Sequence, residues 1–371
     1  ILSIYKRLIN FVFVIIFRMF TRRDFLKLAA TAVTATVIAP YKMEIMKVFA
    51  EAKDYVHICW LNGAACTGCS ISFAQAADPD IIEILTSITV GNSGLPIALP
   101  DWMYVIHPAS GSLGVELING WIKHPGPGKK ILVIEGAMQR EGFCETGGRD
   151  FREWVKDTAN AADYIIAFGS CSAFGGVPHA KGNVTGAMSV QDFLKEVGMS
   201  NKAKKVINLP RCPGHPDSLV LTLASLIKGI EPELDELNRP LMFYGKNIHE
   251  KQCPFRPFYD KGIFAKFGQS EEGCRFKIGC KGPITKADCP SRKCNDNVAF
   301  CIDVGAPCIG CSEPDWPDGE YAPFFVELPS LPTILNIPAE TWGIAFVGAA
   351  SAAVALHAVR KALSKKEKGE K

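Results

Sequence analysis

The sequence predicts an α/β protein: a doubly wound parallel sheet, then an irregular segment that needs metal to hold it, then a C-terminal transmembrane helix. Three observations predict this. Between Asp54 and Tyr244, short apolar β-rich runs alternate with helical stretches, the rhythm of βαβ units. From Gly245 to Pro332 that periodicity fades, and Pro, Gly and Cys become frequent. Such loops need something other than a hydrophobic core to order them. Finally, Thr341–Val359 is an uncharged run rich in Ala, Gly and Val, about 28 Å long as a helix and so matched to a bilayer core.

Each element has its own reason. The predicted strands are Val56–Leu61, Ile81–Ile84, Trp102–His107, Ile131–Glu135, Tyr164–Phe168 and Val206–Leu209, all short and buried in character. Phe151–Asn160 and Val190–Val197 read as helices between them. Ahead of the sheet, residues 1–52 form a signal region. Thr21-Arg22-Arg23-Asp24-Phe25-Leu26-Lys27 fits a twin-arginine export signal, and small residues around Ala50 offer cleavage sites. The apolar Ile1–Arg18 fits that signal poorly, so Met19 is a candidate start. Domain boundaries follow at 53–244 for the sheet, 245–332 for the irregular part and 333–371 for the anchor and tail. Arg360, Lys361, Lys365, Lys366, Lys368 and Lys371 follow the apolar run. The positive-inside rule therefore puts the tail in the cytoplasm and the body on the extracytoplasmic (periplasmic) face.

Composition narrows the function classes. With 371 residues the chain can bury proper cores, so it has no need of the disulfides that hold small exported domains together. A net charge of +3 with no basic stripe outside the termini argues against nucleic acid as a partner.

The 14 cysteines carry the chemistry. Cys66 and Cys69 lie just past the first strand, Cys171 just past Tyr164–Phe168, and Cys212 just past Val206–Leu209. In an open parallel sheet these loops meet on one edge. Four thiolates meeting there fit a 4Fe–4S cluster. Gly68 keeps the first loop tight, and Gly169, Gly175 and Gly176 allow close backbone approach. A thioredoxin-like dithiol or a zinc site are the rivals; the dithiol leaves Cys171 and Cys212 unexplained. Downstream, His249, Cys253, Cys274 and Cys280 are candidates for a cluster with one imidazole ligand, and an imidazole ligand tends to raise the reduction potential. A spacing of four puts His249 and Cys253 on one face if that segment is helical. Cys289, Cys301, Cys308 and Cys311 form a last group, with Cys294 as a nearby competitor. A disulfide framework is the rival for this half. Clusters explain both the leader and the cysteines, because the twin-arginine route exports folded, cofactor-loaded proteins. Cys59, Cys144 and Cys294 have no assigned place.

These residues resemble a known family. Cys66-Thr67-Gly68-Cys69, Glu135-Gly136, Gly169-Ser170-Cys171, Gly175-Gly176, Cys212-Pro213, Ile248-His249, Gly279-Cys280-Lys281-Gly282-Pro283, Asp288-Cys289-Pro290 and Cys308-Ile309-Gly310-Cys311-Ser312-Glu313 are similar to the small subunit of membrane-bound nickel–iron hydrogenases. The resemblance runs from Arg22 to Lys371. It implies a flavodoxin-like N-terminal domain and an irregular cluster-binding C-terminal domain. It also implies a large subunit that holds the nickel–iron site and a membrane cytochrome b or quinone-type acceptor. By this resemblance Cys66, Cys69, Cys171 and Cys212 hold a proximal 4Fe–4S cluster. His249, Cys253, Cys274 and Cys280 hold a distal 4Fe–4S cluster, and Cys289, Cys308 and Cys311 a medial one. The chain also departs from the family. Cys301 stands where many members carry Pro and a 3Fe–4S medial cluster, which makes 4Fe–4S the expectation here. The distal spacing is His249-x-x-x-Cys253, one residue longer than usual, and Ala65 replaces a frequent Glu. Gly68 and Gly176 occupy the positions of two extra cysteines in oxygen-tolerant members, so ordinary oxygen sensitivity is expected.

Overall fold

The computed structural model describes residues 56–77, 80–81, 101–124, 128–251, 253–267, 272–294, 297–318 and 324–328, with 333–334, 337–338, 348, 351–352, 354 and 357 beyond them. The export signal, most of the expected strand Ile81–Ile84 and most of the C-terminal apolar run lie outside the described residues. Among the described residues no helix is long and apolar enough to cross a membrane.

Five parallel strands build the main sheet: β1 (Val56–Asn62), β2 (Trp102–Met103), β3 (Lys129–Glu135), β4 (Tyr164–Phe168) and β5 (Val206–Leu209). Their order is β2-β1-β3-β4-β5, the flavodoxin-like order, whose switch point lies between β1 and β3. Register is continuous from Val56 opposite Lys129 to Asn62 opposite Glu135. Ile131 then pairs with Tyr164, and Ile165 with Val206.

Alternation along each strand sorts side chains to two faces. Ile58, Trp60, Ile131, Val133, Ile166, Phe168, Ile207 and Leu209 share one buried cluster. Cys59, Leu61, Leu132, Ile134, Ile165, Ala167 and Val206 share the other. The first face is covered by α1 (Gly68–Ala74) and α6 (Pro216–Ile227). The second is covered by α2 (Ser112–Lys123), α3 (Phe151–Ala161) and α5 (Val190–Glu196), while α4 (Ser170–Phe174) continues β4 at its loop end. Burying each large aliphatic side chain contributes roughly 1.5–3 kcal/mol, so strands apolar on both faces demand helices on both.

Caps set the helix starts. Asp150 accepts from Arg152 N at 2.8 Å to open α3, and Ser189 accepts from Asp192 N at 3.0 Å to open α5. His215 caps α6 by accepting from Asp217 N at 3.1 Å, with Pro216 in the first turn.

The expected strand Trp102–His107 is shorter in the structure. Only Trp102 and Met103 pair, and the chain then turns, leaving Tyr104 and Val105 exposed. Residues 104–106 form a turn closed by the Ile106 and His107 N–H groups on the Met103 carbonyl, so they leave β1 although β1 runs on to Asn62.

Among the described residues after Tyr244 there are short helical turns, such as Ile248–Lys251, Arg256–Asp260 and Cys289–Arg292, and a small antiparallel pair of Thr333–Ile334 with Ile337–Pro338. Their buried residues, including Ile248, Cys253, Cys280, Phe300, Ile302 and Cys308, join the first sheet-face cluster. Polar ties fix this seam. Buried Arg239 donates to Asp235 at 2.8 Å, to the Ser312 carbonyl at 2.9 Å and to Glu313 at 3.0 Å. Tyr244 donates to the Pro210 carbonyl at 2.8 Å, and Arg292 pairs with Asp217 at 3.0 Å.

Candidate functional site

The loops after β1, β4 and β5 converge as the topology requires. Cys66 and Cys69 open α1, Cys171 lies in α4, and Cys212 follows β5. The charges of Cys171 and Cys212 act on Cys69, and that of Cys66 acts on Cys171, so the four thiols form one group. Cys66, Cys171 and Cys212 line an open cavity of about 620 Å³ together with Ala65 and Gln139.

The backbone makes room for sulfur. Gly169 has φ +93°, and a Cβ there would lie 2.4 Å from Cys69 Sγ. A Cβ on Gly176, at φ +51°, would lie 2.9 Å from Cys171 Sγ. Gly214 N–H donates to Cys69 Sγ at 3.3 Å.

Glu135, at the end of β3, is the residue that sequence reasoning left without a role. It is 2% exposed, where an unpartnered carboxylate would be costly. Instead it accepts from Trp60 Nε1 at 3.2 Å, Asn62 Nδ2 at 3.0 Å, Cys69 N at 3.1 Å, Ser70 N at 3.3 Å and Ser70 Oγ. The carboxylate thus binds the opening N–H groups of α1 to β1 and β3. Its sequence signal was one acid ending an otherwise apolar strand.

Burial, then the Glu135 charge, pushes the Cys69 thiol well above its ordinary range. Burial, then the charges of Cys311, Cys171 and Cys66, pushes Cys212 up to about 12. Such thiols stay protonated until a metal binds the sulfur and the proton is released to water.

A second group gathers Cys253, Cys274 and Cys280, all buried and within electrostatic reach of one another. The helix carrying His249 stops at Lys251, so His249 and Cys253 do not share a helical face as the spacing suggested. The His249 backbone is tied to the turn that follows Cys280. Its N–H donates to the Gly282 carbonyl at 3.2 Å, and Gly282 lies between the His249 Cβ and Cys280 Sγ. Its imidazole meets Tyr259 edge-on, ring centres 4.6 Å apart.

A third group holds Cys289, Cys301, Cys308 and Cys311, with Cys294 among them. Cys294 lies beside Cys301 and accepts from Arg211 Nη2 at 3.3 Å. Arg211 is a second residue that sequence reasoning missed; its signal was an arginine directly before Cys212.

Hydrogen bonds join the groups in series. The Ser170 hydroxyl, next to Cys171, donates to the Cys311 carbonyl, linking the first group to the third. The Cys308 N–H donates to Cys280 Sγ at 3.3 Å, linking the third to the second. Cys59 and Cys144 stand apart. Cys59 is fully buried in β1, and Cys144 packs beside the second face cluster.

All 14 cysteines are free thiols, so no disulfide framework forms. Among the described residues no three His, Cys, Asp or Glu side chains converge on a point suited to one metal ion. Groups of four thiols are the donor set of a multi-iron cluster, each of whose corners takes one ligand.

Comparison with known proteins agrees with this reading. Residues 66–226 match the family described as NADH ubiquinone oxidoreductase, 20 Kd subunit. Residues 244–325 match the family of the C-terminal part of NiFe/NiFeSe hydrogenase small subunits. The periplasmic NiFeSe hydrogenase small subunit of Desulfomicrobium baculatum is 36% identical over 82% of this chain and 98% of its own. The hydrogenase-1 small chain of Escherichia coli K12 is 32% identical over 94% of this chain and 91% of its own. The solved structure of the H2-activated Desulfomicrobium baculatum NiFeSe hydrogenase superposes with a TM-score of 0.63 at 36% identity, covering 74% of this chain and 100% of that one. With its sheet order, its thiol groups and these likenesses together, the chain belongs to the small-subunit family of nickel–iron hydrogenases.

Proposed function

We propose that this chain is the electron-transferring small subunit of a membrane-bound nickel–iron hydrogenase of the uptake type. It takes electrons from hydrogen oxidation at the large subunit's nickel–iron site and delivers them to a membrane cytochrome b or quinone-type acceptor. The observation that carries this reading is the series of three thiol groups, tied together by the Ser170 hydroxyl on the Cys311 carbonyl and by the Cys308 N–H on Cys280 Sγ.

Cys66, Cys69, Cys171 and Cys212 are the residues that would hold a proximal 4Fe–4S cluster. Cys289, Cys301, Cys308 and Cys311 would hold a medial 4Fe–4S cluster, and His249, Cys253, Cys274 and Cys280 a distal one. When bound, these clusters supply one-electron carriers. The protein's own work is positioning and insulation. Exposed Cys66 and Cys212 put the proximal group at a surface, within reach of a docked large subunit. Cys253, Cys274, Cys280 and Cys308 are buried, which excludes water from the inner groups. N–H groups directed at Cys69 and Cys280 stabilise negative charge on sulfur.

Residues 1–52 are proposed to engage the twin-arginine translocase, 53–244 to form the flavodoxin-like domain, and 245–332 the medial and distal cluster domain. Residues 333–371 then anchor the body to the extracytoplasmic face of the membrane. The apolar Thr341–Val359 run and its basic tail support that placement.

The test is purification of the intact complex. Co-purification of a nickel-containing subunit with hydrogen-dependent dye reduction is the expected result. Iron without nickel would favour an anchored electron carrier for another oxidoreductase, and protein without iron would end both readings.

A further inference from the structure

Arg211 sits across the step between the proximal and medial groups. It immediately precedes Cys212 and is only 4% exposed. Its carbonyl accepts from Ser170 N at 3.0 Å, in the loop that also carries Cys171. Its guanidinium reaches the other way, into the back half. There Nη2 donates to the Lys293 carbonyl and to Cys294 Sγ at 3.3 Å. The thiols of Cys289, Cys294 and Cys311 are close enough to act on its charge.

A buried guanidinium is costly unless it is partnered, and carboxylates are its usual partners. Here the nearest is Asp288, 3.9 Å from Nη1. Asp288 is itself held closer, at 2.7 Å, by Arg292. The positive charge of Arg211 therefore faces sulfur more directly than it faces a carboxylate. A fixed cation beside sulfur ligands stabilises the reduced form, which carries one more negative charge.

We propose that Arg211 is a positioning residue that raises the reduction potential of the medial centre and holds Cys294 beside it as a hydrogen-bonded thiol, not a ligand. This rests on the electron-path reading above. It accounts for a fifth thiol in a group that needs four, and for a buried arginine with no close carboxylate of its own.

The experiment is an EPR-monitored redox titration of the purified heterodimer, with Arg211→Met and Arg211→Lys beside the native protein. At the native medial midpoint, Arg211→Met is expected to lower the reduced-to-oxidised ratio of the medial centre about tenfold, equivalent to about 59 mV for one electron. Arg211→Lys keeps the charge and should stay within about threefold, and the proximal and distal midpoints should not move. Equal shifts in both variants would mark Arg211 as a clamp and overturn the proposal, as would no shift in either. Cys294→Ala carries the test if Arg211→Met fails to assemble. Full iron content is expected, and loss of the medial signal would make Cys294 a ligand and refute its assignment. Three titrating clusters with an unmoved medial midpoint would defeat this inference alone. Absence of a third cluster would defeat the electron-path reading with it.

Discussion

Replacing Gly169 by Ala tests the proximal site most sharply, because Gly182 supplies a matched control. The two glycines have nearly the same backbone, φ +93° and +90°. An alanine at either costs roughly 1–3 kcal/mol of backbone strain. They differ in space. Nothing lies within 4 Å of a Cβ on Gly182, whereas a Cβ on Gly169 would stand 2.4 Å from Cys69 Sγ. Ordinary carbon contacts need about 3.5–4.0 Å, so the sulfur must retreat by more than about 1 Å. Metal–ligand bonds tolerate deviations of about 0.2 Å. Cys69 in Gly169→Ala should therefore fail as a ligand. The assay is iron per heterodimer, with EPR of the reduced complex. Gly169→Ala should lose roughly a third of its iron together with the proximal signal, one cluster of three, and Gly182→Ala should keep both. Full iron with a native proximal signal in Gly169→Ala would refute the assignment of Cys69. Equal losses in the two variants would attribute the effect to backbone strain alone.

Three further predictions use other parts of the molecule. Burial, then the nearby Arg211 charge, pushes the His215 imidazole down to about 4 from its ordinary 6.5. Unfolded chains bind that proton below about 6.5 and the folded chain does not until about 4, so stability is intact above 6.5 and falls across that window by up to about 3 kcal/mol. Inactivation of the complex at fixed temperature should quicken from pH 6.5 to 4, and His215→Asn, which keeps a capping side chain, should flatten the profile; identical profiles would show that His215 is not the group responsible. With Cys301 in the medial group, EPR of the oxidised protein should lack a strong 3Fe–4S signal, and finding one would remove Cys301 as a ligand. Gly68 and Gly176 leave the proximal group without extra thiols, so hydrogen-oxidising current on an electrode should collapse under low oxygen; a persistent current would contradict that expectation.

Strands β4 and β5 were legible to the residue, and β1 and β3 to within two residues at either end. Their runs are apolar on both faces, a pattern only a covered parallel sheet satisfies. Trp102–His107 was legible only in part, since Tyr104 and Val105 have strand-like composition but lie in a turn closed on the Met103 carbonyl instead of pairing with β1. The spacing of His249 and Cys253 suggested a shared helical face, yet the helix ends at Lys251. What ties the His249 backbone to the turn after Cys280 is a long-range bond to Gly282, which local periodicity does not record.

By itself, the sequence determined the sheet, its direction and the meeting of Cys66, Cys69, Cys171 and Cys212 at one edge, because hydrophobic period and position after a strand are local properties of a chain. Only the tertiary structure decided how the three thiol groups connect. The Ser170 hydroxyl on the Cys311 carbonyl, the Cys308 N–H bond to Cys280 sulfur, the five donors around Glu135, and the reach of Arg211 from one group to the next join residues distant in sequence. Such contacts are set by packing across the sheet face, where burial forces each polar group to find whatever partner the fold has placed beside it.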